Sequence, residues 1–453
     1  MGSGASFVRV LGRADVLALA FGAMIGWSWV ILSGEWIRSA GGAGAVTAFL
    51  AGGAAVGLVA LTYAELASAM PLAGGEHVYS LRALGRGASF VCTWALVLGY
   101  GSVVAFEAVA LPSVFEHLAP GLRSGTLWSV AGSEVDAGSA GLGALAALAM
   151  TWLNARGVRP AARLQGLATL LILFGGALLV AGVFVRGPLR APEPWFADGL
   201  AGIAAVLVMV PFLFVGFDVV PQAAEEIDLP PRDLGRLLLL SVAMAVVWYA
   251  AIVAAVALIL APGEIEATRL PTADASAAAW GGAWASQLLV LAGAAGILTS
   301  WNAFLVAGSR AIYALAEAGM LPPALGRLHE RHHTPHRAVW LLGALSCASP
   351  WLGRSALVWF VNVGALGIVV AYAMVALSFL VLRRREPEMP RPFRAPAGAW
   401  VGGGALAVSI ALGALYLPGS PAALAWPHEW GIVAAWAALG AVLYARARRR
   451  ACA

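Results

Sequence analysis

The chain has 453 residues, 61% of them hydrophobic and 11% charged, with a formal net charge of +5 and a positive mean hydropathy of +0.85. A water-soluble domain of this size and composition would not stay dispersed, so the chain belongs in a bilayer. The positive charge is accounted for by arginines flanking apolar stretches, which removes the reason to invoke a nucleic-acid partner.

Twelve apolar stretches are expected to be membrane helices, centred on 14–38, 43–70, 88–118, 138–155, 162–186, 198–227, 234–260, 282–318, 337–352, 355–383, 398–417 and 426–446. Each is long enough for a hydrocarbon core of about 30 Å. The short tail before the first stretch holds Arg9 and Arg13, and no small-residue cleavage site follows a short apolar core, so it reads as a true first helix and not a removable leader.

Basic residues are retained on the cytoplasmic side. The N-terminal tail, even-numbered loops and C-terminal tail hold Arg9, Arg13, Arg82, Arg86, Arg156, Arg159, Arg163, Arg232, Arg236, Arg310, Arg327, Arg331, Arg337, Arg383, Arg384, Arg385, Arg391, Arg394 and the Arg446 to Arg450 cluster. The odd loops hold only Arg38, Arg123, Arg186, Arg190, Arg269 and Arg354. Both termini are therefore expected in the cytoplasm of a multi-pass protein of the cytoplasmic (inner) membrane. Cys92, Cys347 and Cys452 do not form a disulfide framework, and the outer loop at about 119–137 has no cysteine, so no disulfide-linked partner subunit is expected.

A transporter must strip water from its substrate, which requires backbone polar groups freed from helical pairing. In the first stretch, Gly22-Ala23-Met24-Ile25-Gly26-Trp27-Ser28 places two glycines four apart before a hydroxyl. This is either an unwound hinge or a small-xxx-small packing face. In the sixth, Pro211-Phe212-Leu213-Phe214-Val215-Gly216-Phe217-Asp218 puts proline, glycine and an acid within eight positions, which favours the hinge. Two interrupted helices five stretches apart suggest a five-plus-five inverted repeat. Half-helix amino ends would then face a substrate carboxylate, and opposing carbonyls its ammonium, so a free amino acid suits the site.

Ionisable residues at membrane depth are functional candidates. Asp218 either gates or caps the second half of the broken sixth helix. Glu107, in Val104-Ala105-Phe106-Glu107-Ala108-Val109, either meets a cationic substrate or a proton, or makes an inter-helix hydrogen bond. On the eighth stretch, Gly296, Thr299 and Ser300 are spaced i, i+3 and i+4, which sets one carbonyl and two hydroxyls on one face. Such oxygens either hold sodium as a coupling ion or bond back along the helix. No resident cofactor is implied. The histidines His329, His332, His333 and His336 gather in one loop without a catalytic or metal-ligand arrangement, so an enzyme is not expected.

Four separated motifs resemble the amino acid–polyamine–organocation superfamily of permeases. Besides the first-helix glycine run, they are Tyr63-Ala64-Glu65-Leu66 leading to Met70-Pro71-Leu72-Ala73-Gly74-Gly75-Glu76-His77-Val78-Tyr79; Gly216-Phe217-Asp218 through Glu225-Glu226 to Pro230-Pro231-Arg232-Asp233-Leu234; Ser309-Arg310-Ala311-Ile312-Tyr313-Ala314 with Gly319-Met320-Leu321-Pro322; and Arg391-Pro392-Phe393-Arg394. The resemblance covers nearly the whole chain and implies an all-α polytopic, leucine-transporter-like fold. A ten-helix transport core over 1–397 and two further helices with a basic tail over 398–453 would follow.

It also implies a substrate held between the first and sixth helices by Ile25, Gly26, Trp27 and Ser28 for the carboxylate, with the carbonyls of Phe212, Val215 and Gly216 near the amine and Phe212 as the gating aromatic. Phe217, Asp218 and Glu107 complete the candidate binding set. Sodium-coupled relatives of this fold add first-helix carbonyls, here Gly22 and Ile25, to Gly296, Thr299 and Ser300. Trp27 and Ser28 depart from the small residue and glycine of many members, and the indole either restricts the pocket or packs on a neighbouring helix. Gly99 stands where some cationic amino acid members carry glutamate. The fifth-helix lysine of some sodium-independent members is absent, and Leu171, Ile172 and Leu173 occupy that neighbourhood. The function implied is cation-coupled amino acid symport by alternating access, with an amine or polyamine exchanger or a non-transporting sensor as the alternatives.

Overall fold

The computed structural model describes residues 6–118, 125–185, 191, 193–420 and 422–452. Arg123, Arg186 and Arg190 of the predicted outer loops lie outside them.

Helix occupies each of the twelve apolar stretches. The first is divided into α1 (Arg13–Met24), α2 (Ser28–Ile31) and α3 (Ser33–Ala40), and α4 (Gly42–Ala69) follows. A short α5 (Glu76–Leu84), not expected from the apolar pattern, precedes α6 (Arg86–Leu118), α7 (Ala137–Ala155) and α8 (Val158–Val185). The sixth stretch is divided into α9 (Gly199–Leu207), α10 (Val210–Leu213) and α11 (Val219–Gln222). Then come α12 (Pro231–Ile259), the short α13 (Pro262–Ala267) and α14 (Pro271–Trp280), α15 (Ala283–Glu317), α16 (His336–Ala348), α17 (Ser355–Arg385), α18 (Gly398–Ala414) and α19 (His428–Cys452). Among the described residues, seven helices are long and apolar enough to cross a membrane: α4, α6, α8, α12, α15, α17 and α19. The protein is a multi-pass membrane protein.

One element departs from an all-helical fold. Strands β1 (Thr126–Val130) and β2 (Ser133–Asp136) form an antiparallel hairpin between α6 and α7, with Ser129 opposite Glu134. Its turn residues Ala131 and Gly132 have φ of 45° and 79°, the paired left-handed conformation that suits the twist of a tight hairpin.

The bundle is organised around α15, which is buried along most of its length and packs on α1, α6 and α8. Outward-facing positions carry large apolar side chains instead: Leu167 is 70% exposed and Leu200 84%. This inversion of the soluble pattern is what a hydrocarbon surround requires. At the periphery α19 attaches to α6 through Trp94 and Trp436. Their rings stack at 4.2 Å and each indole N–H donates to the other residue's carbonyl at 2.9 Å.

At the end where α4 stops and α12 and α17 carry their arginine-rich termini, the four motifs contact one another. Glu65, fully buried, pairs with Arg383 and lies 3.0 Å from Arg391 Nε while accepting from Ala395 N at 2.8 Å. Arg310 forms a buried bidentate pair with Glu226. Ala73 N donates to Glu225 at 3.2 Å, and Gln222 donates to Glu76. The N-terminal segment joins this end as well, with Val10 N and Leu11 N donating to Glu226 O at 2.9 and 3.0 Å.

Candidate functional site

The first break begins where α1 stops at Met24. Ile25 leaves the helical basin at φ −106° and ψ 79°. Among the described residues, the N–H groups of Gly26 and Trp27 find no main-chain acceptor, and the carbonyls of Gly22, Ile25 and Gly26 no main-chain donor. Tyr249 on α12 holds the break open by donating to Met24 O at 2.9 Å, with Ser28 Oγ 3.4 Å from the same hydroxyl. The run is therefore unwound over Ile25, Gly26 and Trp27, while Gly22 to Met24 remain helical.

The sixth helix opens opposite it. Gly216 has φ +139°, and a β-carbon there would sit 2.7 Å from Ala23 Cβ and 2.8 Å from Met24 N. Only glycine permits both that conformation and that approach. Asp218 Oδ1 accepts from Gly216 N at 2.8 Å and Oδ2 from Tyr100 OH at 2.7 Å. The expected cap on the following half-helix is not made: the carboxylate turns back to satisfy an N–H freed inside the break, and α11 has no side-chain cap.

Between the breaks lies a cavity of about 50 Å³. Gly26, Trp27 and Ser28 line it from the first break, Phe212 and Val215 from the sixth, Glu107 from α6 and Ser300 from α15. Glu107 is 2% exposed, its Oε1 lies 3.4 Å from where a Gly26 β-carbon would be, and its Oε2 has no hydrogen-bond partner. Trp27 both lines the cavity and packs on α15, where its ring fills the space of a Gly293 side chain.

The remaining candidates lie outside the cavity lining. Ile25 is buried, with its carbonyl directed at α15. Phe217 stacks on Tyr372 at 5.4 Å and meets Tyr63 edge-on at 5.3 Å, so with Asp218 it belongs to an adjoining aromatic layer. The Phe212 and Gly216 carbonyls already accept from Val215 N and Val219 N within the break, at 3.3 and 3.2 Å.

Gly22, Ile25, Gly296 and Thr299 come together where α1 meets α15. A β-carbon at Gly296 would be 2.6 Å from Gly26 O and 2.8 Å from Ile25 O, so the missing side chain admits the freed carbonyls. Thr299 Oγ1 donates to Gly296 O at 3.0 Å, the back-bonding habit of hydroxyls in membrane helices, and keeps its lone pairs. Ser300 faces the cavity beside Gly26 and Glu107.

Of the three fifth-stretch residues named, Ile172 is fully buried and Leu173 packs against the core. Leu171 is 36% exposed and faces outward, whereas Gln165 and Thr169, one turn apart on α8, are buried against α1. Gln165 Nε2 donates to Ala18 O at 3.0 Å, Asn302 Nδ2 to Gln165 Oε1 at 2.8 Å, and Asn154 Nδ2 to Asn302 Oδ1 at 2.9 Å. A chain of neutral amides thus fills the space next to Gly22. The i, i+4 polar pair among leucines was the available signal for it.

Facing breaks with unpaired backbone groups around a shared cavity define a broken-helix transport protein, and the chain belongs to the amino acid permease family, whose model matches residues 11–442. This is a family of transporters and not of enzymes. The branched-chain amino acid permease BcaP of Bacillus subtilis (strain 168) is 27% identical over 86% of this chain and 84% of its own length. The methylthioribose transporter of the same organism is 28% identical over 97% and 93%, and its aspartate-proton symporter 25% over 86% and 75%.

Proposed function

We propose that the protein is a secondary active transporter moving amino acids across the cytoplasmic (inner) membrane by alternating access. The observation that carries this reading is the pair of facing breaks. Gly26 and Trp27 offer N–H groups to a substrate carboxylate, and the Val215 carbonyl on the opposite side suits its ammonium. The arrangement proposed is twelve crossings, a five-plus-five inverted repeat within a 1–397 core, two further helices over 398–453, and both termini cytoplasmic. The arginine distribution and the family membership support it. The cavity is small, about 50 Å³. This conformation therefore fits a small amino acid, and larger ones require the Phe212 side to open.

Transport is coupled to a cation, sodium or a proton. The carbonyl and hydroxyl oxygens of Gly22, Ile25, Gly296 and Thr299 are all hard donors, and the freed carbonyls fit an ion of sodium's type, with Ser300 one residue further along. Relatives of similar identity are named for a branched-chain amino acid, for aspartate with a proton, and for methylthioribose, so the site and not the relatives must identify the substrate. A second reading, exchange of amines or polyamines, is favoured by the unpartnered Glu107 Oε2 in the cavity.

Uptake of radiolabelled amino acids and amines into proteoliposomes under separate sodium and proton gradients tests these readings. Sodium-driven uptake of a zwitterion that is lost in Thr299→Ala supports the symporter. Uptake that ignores both gradients, requires internal amine and is abolished by Glu107→Gln establishes the exchanger instead.

A further inference from the structure

A second cavity lies away from the transport pathway, at the end of the bundle that carries the arginine-rich termini. It has a volume of about 290 Å³ and separates the last turns of α19 from the Gly319–Pro323 turn that follows α15. Its walls are Leu321, Pro322, Pro323, Leu443 and Ala447, and its only charged lining residue among those described is Arg446. Prolines carry no N–H, so this wall offers little to a hydrated ion.

The charge at its mouth is uncompensated. Arg13, Arg82, Arg310, Arg383 and Arg391 each pair with an acid, but no described residue forms a hydrogen bond or ion pair with Arg446. Arg449 follows it at i+3 on α19 and is exposed. A second guanidinium is held close by: Arg86 donates to Ala318 O at 3.0 Å, one residue before the turn. The acid nearest in sequence, Glu317, is exposed at the end of α15. Towards the bundle centre, the outer face of α19 continues as apolar surface, with Leu439 48% and Val442 49% exposed.

We propose that this cleft binds an anionic phospholipid of the cytoplasmic leaflet, its phosphate on Arg446 and an acyl chain along Leu321 and Leu443. An apolar wall open to the bilayer beneath a cationic mouth matches the two halves of such a lipid, and a free phosphate ion has no use for the wall. The inference rests on the proposed orientation of the termini and not on the transported substrate, so it can fail while the transport reading stands, and the reverse.

The test is a thermal-melt titration of delipidated, detergent-solubilised full-length protein with phosphatidylglycerol, phosphatidylcholine or inorganic phosphate, with native mass spectrometry to count bound lipids. Phosphatidylglycerol is expected to raise the melting temperature and to be retained as a bound lipid, and the other two are not. Arg446→Gln is expected to weaken that response about fivefold, the loss of one arginine near an anionic surface, without changing the lipid-free melt. Ala447→Trp, which fills the cleft and keeps the charge, is expected to abolish the retained lipid. Equal shifts with phosphatidylcholine, a full shift with phosphate alone, or unchanged binding in both variants would overturn the proposal.

Discussion

At Gly296 a single missing side chain decides how closely α15 can approach the unwound segment. A methyl group there meets two carbonyl oxygens, which have no room to retreat because Tyr249 fixes the neighbouring Met24 carbonyl. Gly296→Ala is expected to cost about 1 to 3 kcal/mol by overpacking and to cut uptake at least about tenfold, the rate equivalent of 1.4 kcal/mol. Uptake assays and thermal melts of the variant check both. His77 gives a pH signature outside the spanning segments. Burial, reinforced by Arg86, pushes its imidazole down to about 4, and Ser89 Oγ and Thr93 Oγ1 lie 3.0 and 3.2 Å from Nδ1. In the unfolded chain it titrates near about 6.5, so between that pH and about 4 the unfolded state binds a proton that the folded state does not. Stability is therefore expected to fall by up to about 3 kcal/mol as pH drops through this window. His77→Gln should flatten the dependence, as read from melts at stepped pH.

The elements that matter most are the interrupted ones. Gly216 joins the two halves of the sixth helix in a conformation closed to other residues, at a point pressed against α1. Gly216→Ala is expected to abolish uptake while leaving membrane insertion intact, which separates a defect in the break from a failure to fold; uptake and membrane fractionation measure the two. Glu65 binds the end of α4 to the end of α17 and to the segment after it. Removing its charge deprives Arg383 and Arg391 of their shared buried carboxylate, so Glu65→Gln is expected to lower stability by about 3 to 5 kcal/mol, measured by denaturation in detergent. Much of this level was readable from sequence. Glycine and proline within apolar stretches marked both breaks, because those residues weaken a helix wherever they fall. Of Leu171 to Leu173, Leu171 faces outward and Ile172 inward, and the space beside Gly22 is filled instead by Gln165 and Thr169, whose i, i+4 spacing among leucines was legible but whose partners were not. The tip hairpin was missed because a five-residue strand of mixed character has no hydropathy signal in a chain dominated by longer apolar runs. The motif contacts between Glu65 and Arg391, or Arg310 and Glu226, span large sequence separations that spacing alone does not connect.

At the scale of the molecule, every residue lining the central cavity comes from before Ala397, and α18 and α19 lie outside it. Removing 398–453 is therefore expected to leave substrate binding detectable while lowering thermal stability, because α18 packs on α4 and α17; calorimetric titration and melts of the shortened chain check this. The Trp94 and Trp436 pair gives that peripheral attachment an optical consequence. Two nearly parallel indoles 4.2 Å apart couple their electronic transitions, so the union of α19 with α6 carries its own circular-dichroism couplet. Trp436→Phe would erase that couplet, and its amplitude in the unaltered protein would show, without any added label, whether the last helix stays docked while the bundle turns over.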